Sequence, residues 1–319
     1  MNIKMKRIGQ HILLFTISAI VFTACQKEFT LDEPDPLEPP VSDSIYLDQV
    51  VELDSIGPSQ FDTANITRYQ YDALKRVISM KIYWDDAGTM ALMEEYLYTY
   101  NGSDTLPAKT TSHDYEYDGA TSQRDTTTTW YFYSNGKLVK DSAIFVSIVY
   151  NNGVPVSAPT DTTVVSYVHT PLMVTSFTFY KDGSRFNPSN TQEYIERDTA
   201  TLDGRGNIIT SKKYLTDDNG ATWDLDISSV FTYDMKPSPF SRISNFRTLY
   251  QVAPPETYYF DMQAYNNRTS YRYDYGSGNT QEIDYSGYVY RPDGLPVSVR
   301  SGEPGMPAER ITKFLYKVL

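Results

Sequence analysis

The chain has 319 residues and a mass of 36.4 kDa, with 28 Lys and Arg against 40 Asp and Glu, a net charge of −12 and a pI near 4.7. That balance excludes a surface built to hold nucleic acid, which needs a basic face, and the single cysteine excludes an intramolecular disulfide and any CxxC redox or zinc site. The 28 tyrosines, far above ordinary usage and joined by many threonines, favour pleated, half-buried surfaces and hence an all-β chain.

At the N-terminus, Lys4, Lys6 and Arg7 precede an apolar stretch, Ile12 to Phe22, too short to span a bilayer comfortably. This is the pattern of a secretory signal. It ends in Phe22-Thr23-Ala24-Cys25, which resembles the lipobox of bacterial lipoproteins, where small residues precede a cysteine that becomes the acylated first residue. The resemblance implies a signal peptide over residues 1–24 and lipidation of Cys25, although Phe22 stands where the usual residue is Leu. Losing residues 1–24 removes basic residues and no acid, so the remainder is more acidic still. Charge of one sign is expected to keep a tethered protein soluble and clear of an anionic membrane surface.

Residues 25–43 read as an extended, charged tether, since Pro34, Pro36, Pro39 and Pro40 cannot sit in a helix interior or a central strand. Gln26-Lys27-Glu28 resembles the short export signal of surface lipoproteins in Bacteroides-type Gram-negative bacteria. That implies an outer-membrane protein anchored through its lipid, at the cell surface or on the periplasmic face.

Residues 44–319 are punctuated as one long series of hairpins. Asn-Gly or Asp-Gly occurs at 101, 118, 135, 152, 182, 203, 219 and 293, dipeptides that tolerate the positive φ of tight turns. The first four are seventeen residues apart, which leaves arms approaching about 40 Å, long for a strand. The expected fold is therefore an all-β, antiparallel meander of hairpins forming a curled sheet or barrel-like domain. Arg76, Ile78, Met80, Ile82 and Trp84 alternate onto one face, and Leu138, Ile144, Val146, Ile148 and Tyr150 share a face of a later arm. Met90 to Glu95, the most helix-like stretch, runs directly into Tyr96-Leu97-Tyr98-Thr99-Tyr100 and reads as strand.

A second unit recurs: Tyr-x-Tyr, a turn, and a returning strand. It appears at Tyr69-Tyr71-Asp72, Tyr115-Tyr117-Asp118, Phe231-Tyr233-Asp234, Tyr271-Tyr273-Asp274 and Tyr288-Tyr290. Alternate aromatics line one face as the strand ends, and the Asp accepts turn amides. These units resemble the YD repeats of bacterial wall-associated and RHS-type proteins. They resemble especially the YD-like lipoproteins of unknown function from Bacteroides-type bacteria, which implies a porin-like curled β-sheet.

Thr216, Asp218, Gly220, Thr222 and Trp223 match the Asp-box of sialidase-like propellers and other secreted β-proteins. The role implied is structural: Asp218 ties up turn amides, Gly220 takes positive φ and Trp223 packs beneath the hairpin. The chain has one such box and no evident arginine cluster, so it does not by itself make a sialidase site. No HExxH, GxSxG or P-loop pattern occurs, and no catalytic residue, metal ligand or cofactor is assigned. His113 and His169 lie in Thr/Ser-rich strand contexts, and Asp203-Gly204-Arg205-Gly206-Asn207 lacks the alternating acids of a calcium loop and reads as a plain turn.

Three function classes follow. The first is a non-catalytic envelope lipoprotein binding a glycan, peptide or envelope protein through a tyrosine-rich sheet, with Trp130, Tyr131 and Tyr133 as the candidate aromatic site. The same tyrosines could instead be cross-strand packing. The second is a cell-surface carbohydrate-active hydrolase, drawing on the Asp-box and the abundance of acids. The third, a transmembrane barrel, is disfavoured because residues 125–129 and 137–141 show no uninterrupted lipid-facing apolar alternation.

Overall fold

The computed structural model describes residues 45–86, 88–118, 121–151, 154–157, 160–181, 192–216, 220–243, 264–275 and 279–319, all within the unit Pro39–Leu319. The signal, the tether and Cys25 lie outside the described residues, as do Gly119, Asn152-Gly153, Asp182-Gly183 and Asp217 to Asn219. The chain runs through β1 (Ile45–Gly57), β2 (Gln60–Tyr71), β3 (Val77–Asp86), β4 (Thr89–Tyr100), β5 (Pro107–Asp118) and β6 (Thr121–Ser134). It continues through β7 (Lys137–Asn151), β8 (Val154–Ser157), β9 (Thr160–Thr170), β10 (Met173–Lys181), β11 (Gln192–Leu202) and β12 (Ile208–Leu215). The last strands are β13 (Asp224–Pro237), β14 (Asn266–Asp274), β15 (Thr280–Tyr290), β16 (Pro296–Gly302) and β17 (Arg310–Val318). The helix-like stretch is part of β4, and no α-helix occurs among the described residues.

Apart from β8, each strand pairs antiparallel with the next in the circuit, and β1 pairs with β17 from Ile45↔Val318 to Asp54↔Arg310, so the meander closes into a barrel of 16 strands. The short β8 pairs with the end of β7 and stands outside the circuit, because β7 also pairs directly with β9. Closure leaves no open sheet edge in the circuit.

Directly paired residues share a face, so one line of partners carries a face from strand to strand. Phe314, Val50, Thr67, Ile82, Glu94, Asp114, Asp125 and Ser147 form such a line across β17, β1 and β2 to β7. Phe314, Val50 and Ile82 are buried in the core together with Tyr69, Met80, Tyr98, Phe231, Tyr271, Ile283 and Tyr285, which identifies this face as the inner one. Charge divides along the same parity. Glu94, Asp114, Asp125, Asp141, Glu196 and Asp198 occupy inward positions, whereas Arg68, Lys81, Lys109, Lys140, Lys212 and Arg272 occupy outward ones. Glu95, Asp274, Glu282 and Asp284 also face outward, and Lys213 and Arg268 inward, so the described outer wall of this chain of net charge −12 is mixed, with cations in excess.

The tyrosines explain how one end is sealed. At the end of the second strand of a hairpin, a side chain donates to the carbonyl that opens the first strand. Tyr71 reaches Leu47 O, Tyr100 Val77 O, Tyr133 Pro107 O and Tyr233 Ile208 O at 2.6–2.9 Å. Tyr288 reaches Arg268 O at 2.6 Å and Tyr316 Pro296 O at 2.7 Å, and His169 Nε2 serves in the same place against Leu138 O at 2.6 Å. The second tyrosine of the Tyr-x-Tyr unit fills this role at Tyr71 and Tyr233, and the first does so at Tyr288. The 3-10 turn Pro239–Arg242 packs there too, with Phe240 buried edge-on to Phe314 at 6.4 Å and Ile243 buried beside it.

The turn dipeptides act where the register needs them. Asn135 and Gly136, at φ 50 and 72, make the two-residue link between β6 and β7. Three longer turns share one frame: Asp72 to Arg76, Asp203 to Asn207 and Arg291 to Leu295. In each, the first residue's N–H bonds the fifth carbonyl at 2.9–3.0 Å and the fourth N–H bonds the first carbonyl at 3.0–3.1 Å. This is a type I turn closed by a left-handed residue. Asp203 therefore spends its carboxylate on the amides of Arg205 and Asn207, and the left-handed place falls to Gly206, φ 91, not to Gly204.

Two face assignments change. A bulge between Gln70 and Tyr71 turns Val77 inward, fully buried, and leaves Ile78 37% exposed, apart from Met80 and Ile82. A second bulge, opposite Phe132 and Tyr133, sets buried Leu138 inward while Ile144 faces out. Single-residue bulges reverse the alternation beyond them, and their positions were not legible from the alternation itself.

Lys75 holds the left-handed place at φ 63 that Gly206 and Gly294 hold in the related turns. Lys75→Gly is therefore expected to raise the unfolding free energy by about 0.5–1 kcal/mol. Gly206→Ala is expected to lower it, because a Cβ there would lie 2.9 Å from the Tyr265 ring. Urea denaturation of both variants measures the pair of opposite signs.

Candidate functional site at the open end of the barrel

The end opposite the tyrosine braces carries a charged network. Glu52 on β1 is buried, and its Oε2 accepts from Asn65 Nδ2 at 2.6 Å and from Arg310 Nη1 at 2.9 Å. Arg310, at the start of β17, also donates through Nε and Nη2 to the two oxygens of Asp54, at 2.6 and 3.2 Å. One guanidinium thus ties two acids of the first strand to the last strand, 256 and 258 residues away. Burial pushes the Glu52 pKa up, against the opposing pull of Arg310 and Asn65. A cavity of about 530 Å³ opens beside this network, lined by Asp54, Ser55, Ile283, Ser301, Glu309 and Arg310. Its lining mixes hydrogen-bonding groups with apolar surface, and Ile283 is the one large apolar side chain.

Farther round the inner wall, Glu94, Asp114 and Asp125 are direct neighbours on three adjacent strands. Tyr96 donates to Glu94 at 2.8 Å, while Ser147 and Gln123 donate to Asp125 at 2.6 and 3.0 Å. Asp114, between them, is pushed up to about 6 by burial and by the two like charges. Deeper in the barrel, Asp141 accepts from Tyr167 at 2.6 Å and is pushed up to about 6 by burial. Asp198, 3% exposed, is pushed up to about 7 by burial and Glu196, with Lys213 opposing. Three inward carboxyls, Asp114, Asp141 and Asp198, are thus held well above the ordinary carboxylate range.

The residues singled out in the sequence separate here. Trp130 faces outward beside Phe132, the two being 38% and 48% exposed, whereas Tyr131 and Tyr133 point inward and Tyr133 serves as a brace. They do not form one aromatic face, because consecutive strand residues alternate sides. Of the residues that match an Asp-box in sequence, Thr216 Oγ1 accepts from Gly220 N at 3.0 Å, Gly220 has φ 84, and Trp223 lies edge-on to Phe177 at 6.5 Å and under the Arg197 guanidinium at 4.8 Å. Asp218 lies outside the described residues. His113 sits outward against the Arg124 guanidinium at 3.0 Å, and His169 is a brace. Glu94 and Glu95 point to opposite faces, with Glu95 paired to Lys81 at 3.0 Å. Glu52, Asn65, Asp54 and Arg310 carry no motif, and only the pairing of the chain's two ends brings them together.

Together these features define a closed antiparallel β-barrel, braced at one end and charged at the other. No protein-family model matches the chain, and no curated protein matches it. Among solved structures, a porin-like protein from Bacteroides vulgatus is similar at TM-score 0.44 and 10% identity, over 86% of this chain and 99% of that one. A porin-like protein from Bacteroides uniformis is similar at TM-score 0.40 and 12% identity, over 85% and 98%. A Bacteroides fragilis protein of unknown function is similar at TM-score 0.24 and 12% identity, over 52% and 91%. No ligand or activity follows from these likenesses.

The carboxylates give a pH signature. Asp141 and Asp198 have folded pKa values above the unfolded value of about 3.9, so the folded state binds more protons between about pH 4 and 7. Their contribution is largest at low pH and is lost as pH rises through 6 and 7. The barrel is expected to be more stable at pH 5 than at pH 8, by on the order of 1–3 kcal/mol. His113, pushed down by burial and by Arg124, works the other way below its ordinary value. Comparison with Asp198→Asn isolates the acid contribution: chemical denaturation should show the variant with a smaller difference between the two pH values.

Proposed function

We propose that the chain is a non-catalytic cell-envelope lipoprotein of the YD-like kind, acylated at Cys25 and held at the outer membrane, whose barrel binds a hydroxyl-rich ligand at its open end. The observation that carries this reading is the cavity of about 530 Å³ beside the Glu52, Arg310 and Asp54 network. Carboxylates, serines and a guanidinium fixed in place present donors and acceptors that match a glycan or a polar peptide. The tyrosine-rich sheet is a weaker ligand surface than the sequence suggests, since seven of its hairpin ends spend a tyrosine or histidine on the barrel's own carbonyls.

The outward wall supports an anchored domain over a membrane-spanning barrel. A spanning barrel presents an apolar band to lipid, and each Arg or Lys at mid-depth costs about 2–4 kcal/mol. Arg68, Lys81, Arg272, Arg300 and Lys313 all occupy outward strand positions. A second reading, a carbohydrate-active hydrolase, draws on Glu94, Asp114 and Asp125, where Asp114 is held at a pKa suited to a general acid. Release of reducing sugar that disappears in Asp114→Asn would favour it.

Cys25→Ala is expected to abolish labelling by a fatty-acid probe, and retained labelling would refute the anchor. A glycan array and an envelope pull-down on the mature chain should retain a ligand that Asp54→Asn combined with Glu309→Gln releases, with affinity falling about tenfold for the lost hydrogen bonds. Retention of nothing by the unmodified chain would contradict ligand binding.

A further inference from the structure

The outer wall is not uniform. Across β16, β17, β2 and β3, Arg300, Lys313, Arg68 and Lys81 face outward around β1, whose own outward residues, Gln49, Val51 and Leu53, are uncharged. Arg68, Arg300 and Lys313 are exposed and have no carboxylate partner among the described residues; Arg68 lies over the Tyr83 ring at 5.1 Å. Of the acids near the arc, Glu95 is paired with Lys81 at 3.0 Å and Asp48, on β1, with Lys317 at 2.8 Å, while Asp284 and Glu282 face outward on β15 beyond Arg300 and bound the arc on that side. The strand at the centre of this arc is the one into which the tether runs. Residues 26–44 span at most about 65 Å when fully extended and end at Ile45, the first residue of β1.

We infer that this flank, Arg300 to Lys81 with β1 at its centre, rests on anionic lipid headgroups of the membrane that holds the anchor. The occupant follows from charge complementarity, and a leash of at most about 65 Å joined at β1, the centre of this flank, keeps the phosphate-bearing surface within its reach. The overall charge of −12 does not prevent it. Many of the acids face the barrel interior, and side chains on opposite faces of a sheet end about 10 Å apart, comparable to the screening length of about 8 Å at physiological salt. A lipid surface therefore meets the cations of this flank before it meets the interior acids. On this reading the flank differs in sign from the domain's net charge.

This inference rests on the lipoprotein reading, and its test is chosen to fail separately. The mature chain carrying Cys25→Ser, hence without lipid, is mixed with vesicles of phosphatidylcholine alone or with about a third phosphatidylglycerol, and bound protein is measured by co-sedimentation. Anionic vesicles are expected to bind about tenfold more strongly than neutral ones, and binding should fall as salt is raised. Arg68→Gln, Arg300→Gln and Lys313→Gln combined should lose about tenfold or more, whereas Lys109→Gln with Lys140→Gln, elsewhere on the wall, should change it less than about threefold. Equal binding to both vesicles, no binding to either, or an unchanged triple variant overturns the inference. So does capture of a soluble acidic polysaccharide by a chain that ignores the vesicles. Labelling of Cys25 by fatty acid is read separately and decides only the anchor.

Discussion

The antiparallel pairing of the first strand with the last governs this molecule. A sheet of sixteen strands that ended in two free edges would have two wet faces and no reason to sort its side chains. Joining β1 to β17 gives the sheet an inside, and strand alternation then assigns every residue between the bulges to core or to solvent. The ionic cluster of Glu52, Asp54 and Arg310 sits across that junction, so the contact that closes the barrel also shapes its open mouth. Removing Arg310 would leave Glu52 buried beside Asp54 without its cation, a costlier change than the loss of a surface pair.

Closure also accounts for the tyrosines. Hairpins begin and end at the braced rim, where the opening carbonyl of a strand has no further ladder partner. A phenol is long enough to reach it from the inner face while its ring stays in the core, so one residue type supplies apolar area and a donor together. His169 fills the position once, with the same donor geometry. Among the described residues the opposite rim shows no such brace and presents Glu52, Asp54 and Glu309.

Much of this was legible in the sequence, and the rest failed for identifiable reasons. Asn135-Gly136 and Asp293-Gly294 mark turns because positive φ is a local demand, and Met90 to Glu95 reads as strand through the tyrosines that follow. The braces were half visible: the pairing of Tyr71 or Tyr233 with a turn shows in the repeat, but its carbonyl partner lies 24 or 25 residues back. Ile78 and Leu138 leave their expected faces at bulges, which have no compositional mark. Trp130, Tyr131 and Tyr133 stand out as an aromatic run, and strand alternation sets Trp130 outward and the two tyrosines inward. Arg310 and Glu52 had no signal at all, since only closure makes them neighbours. The sidedness of charge was hidden for the same reason: a sum over the chain cannot show which acids turn inward.

The most direct measurement is a cross-link across the seam. In a Cys25→Ala background, Leu53→Cys and Ile311→Cys place thiols on directly paired positions of β1 and β17, and antiparallel partners lie within disulfide range. Oxidation is expected to join the two ends of the domain and speed the chain's migration on a denaturing gel, while Leu53→Cys with Leu315→Cys, four residues out of register, should not cross-link. Failure of the first pair, or equal cross-linking of both, would contradict a closed barrel in this register.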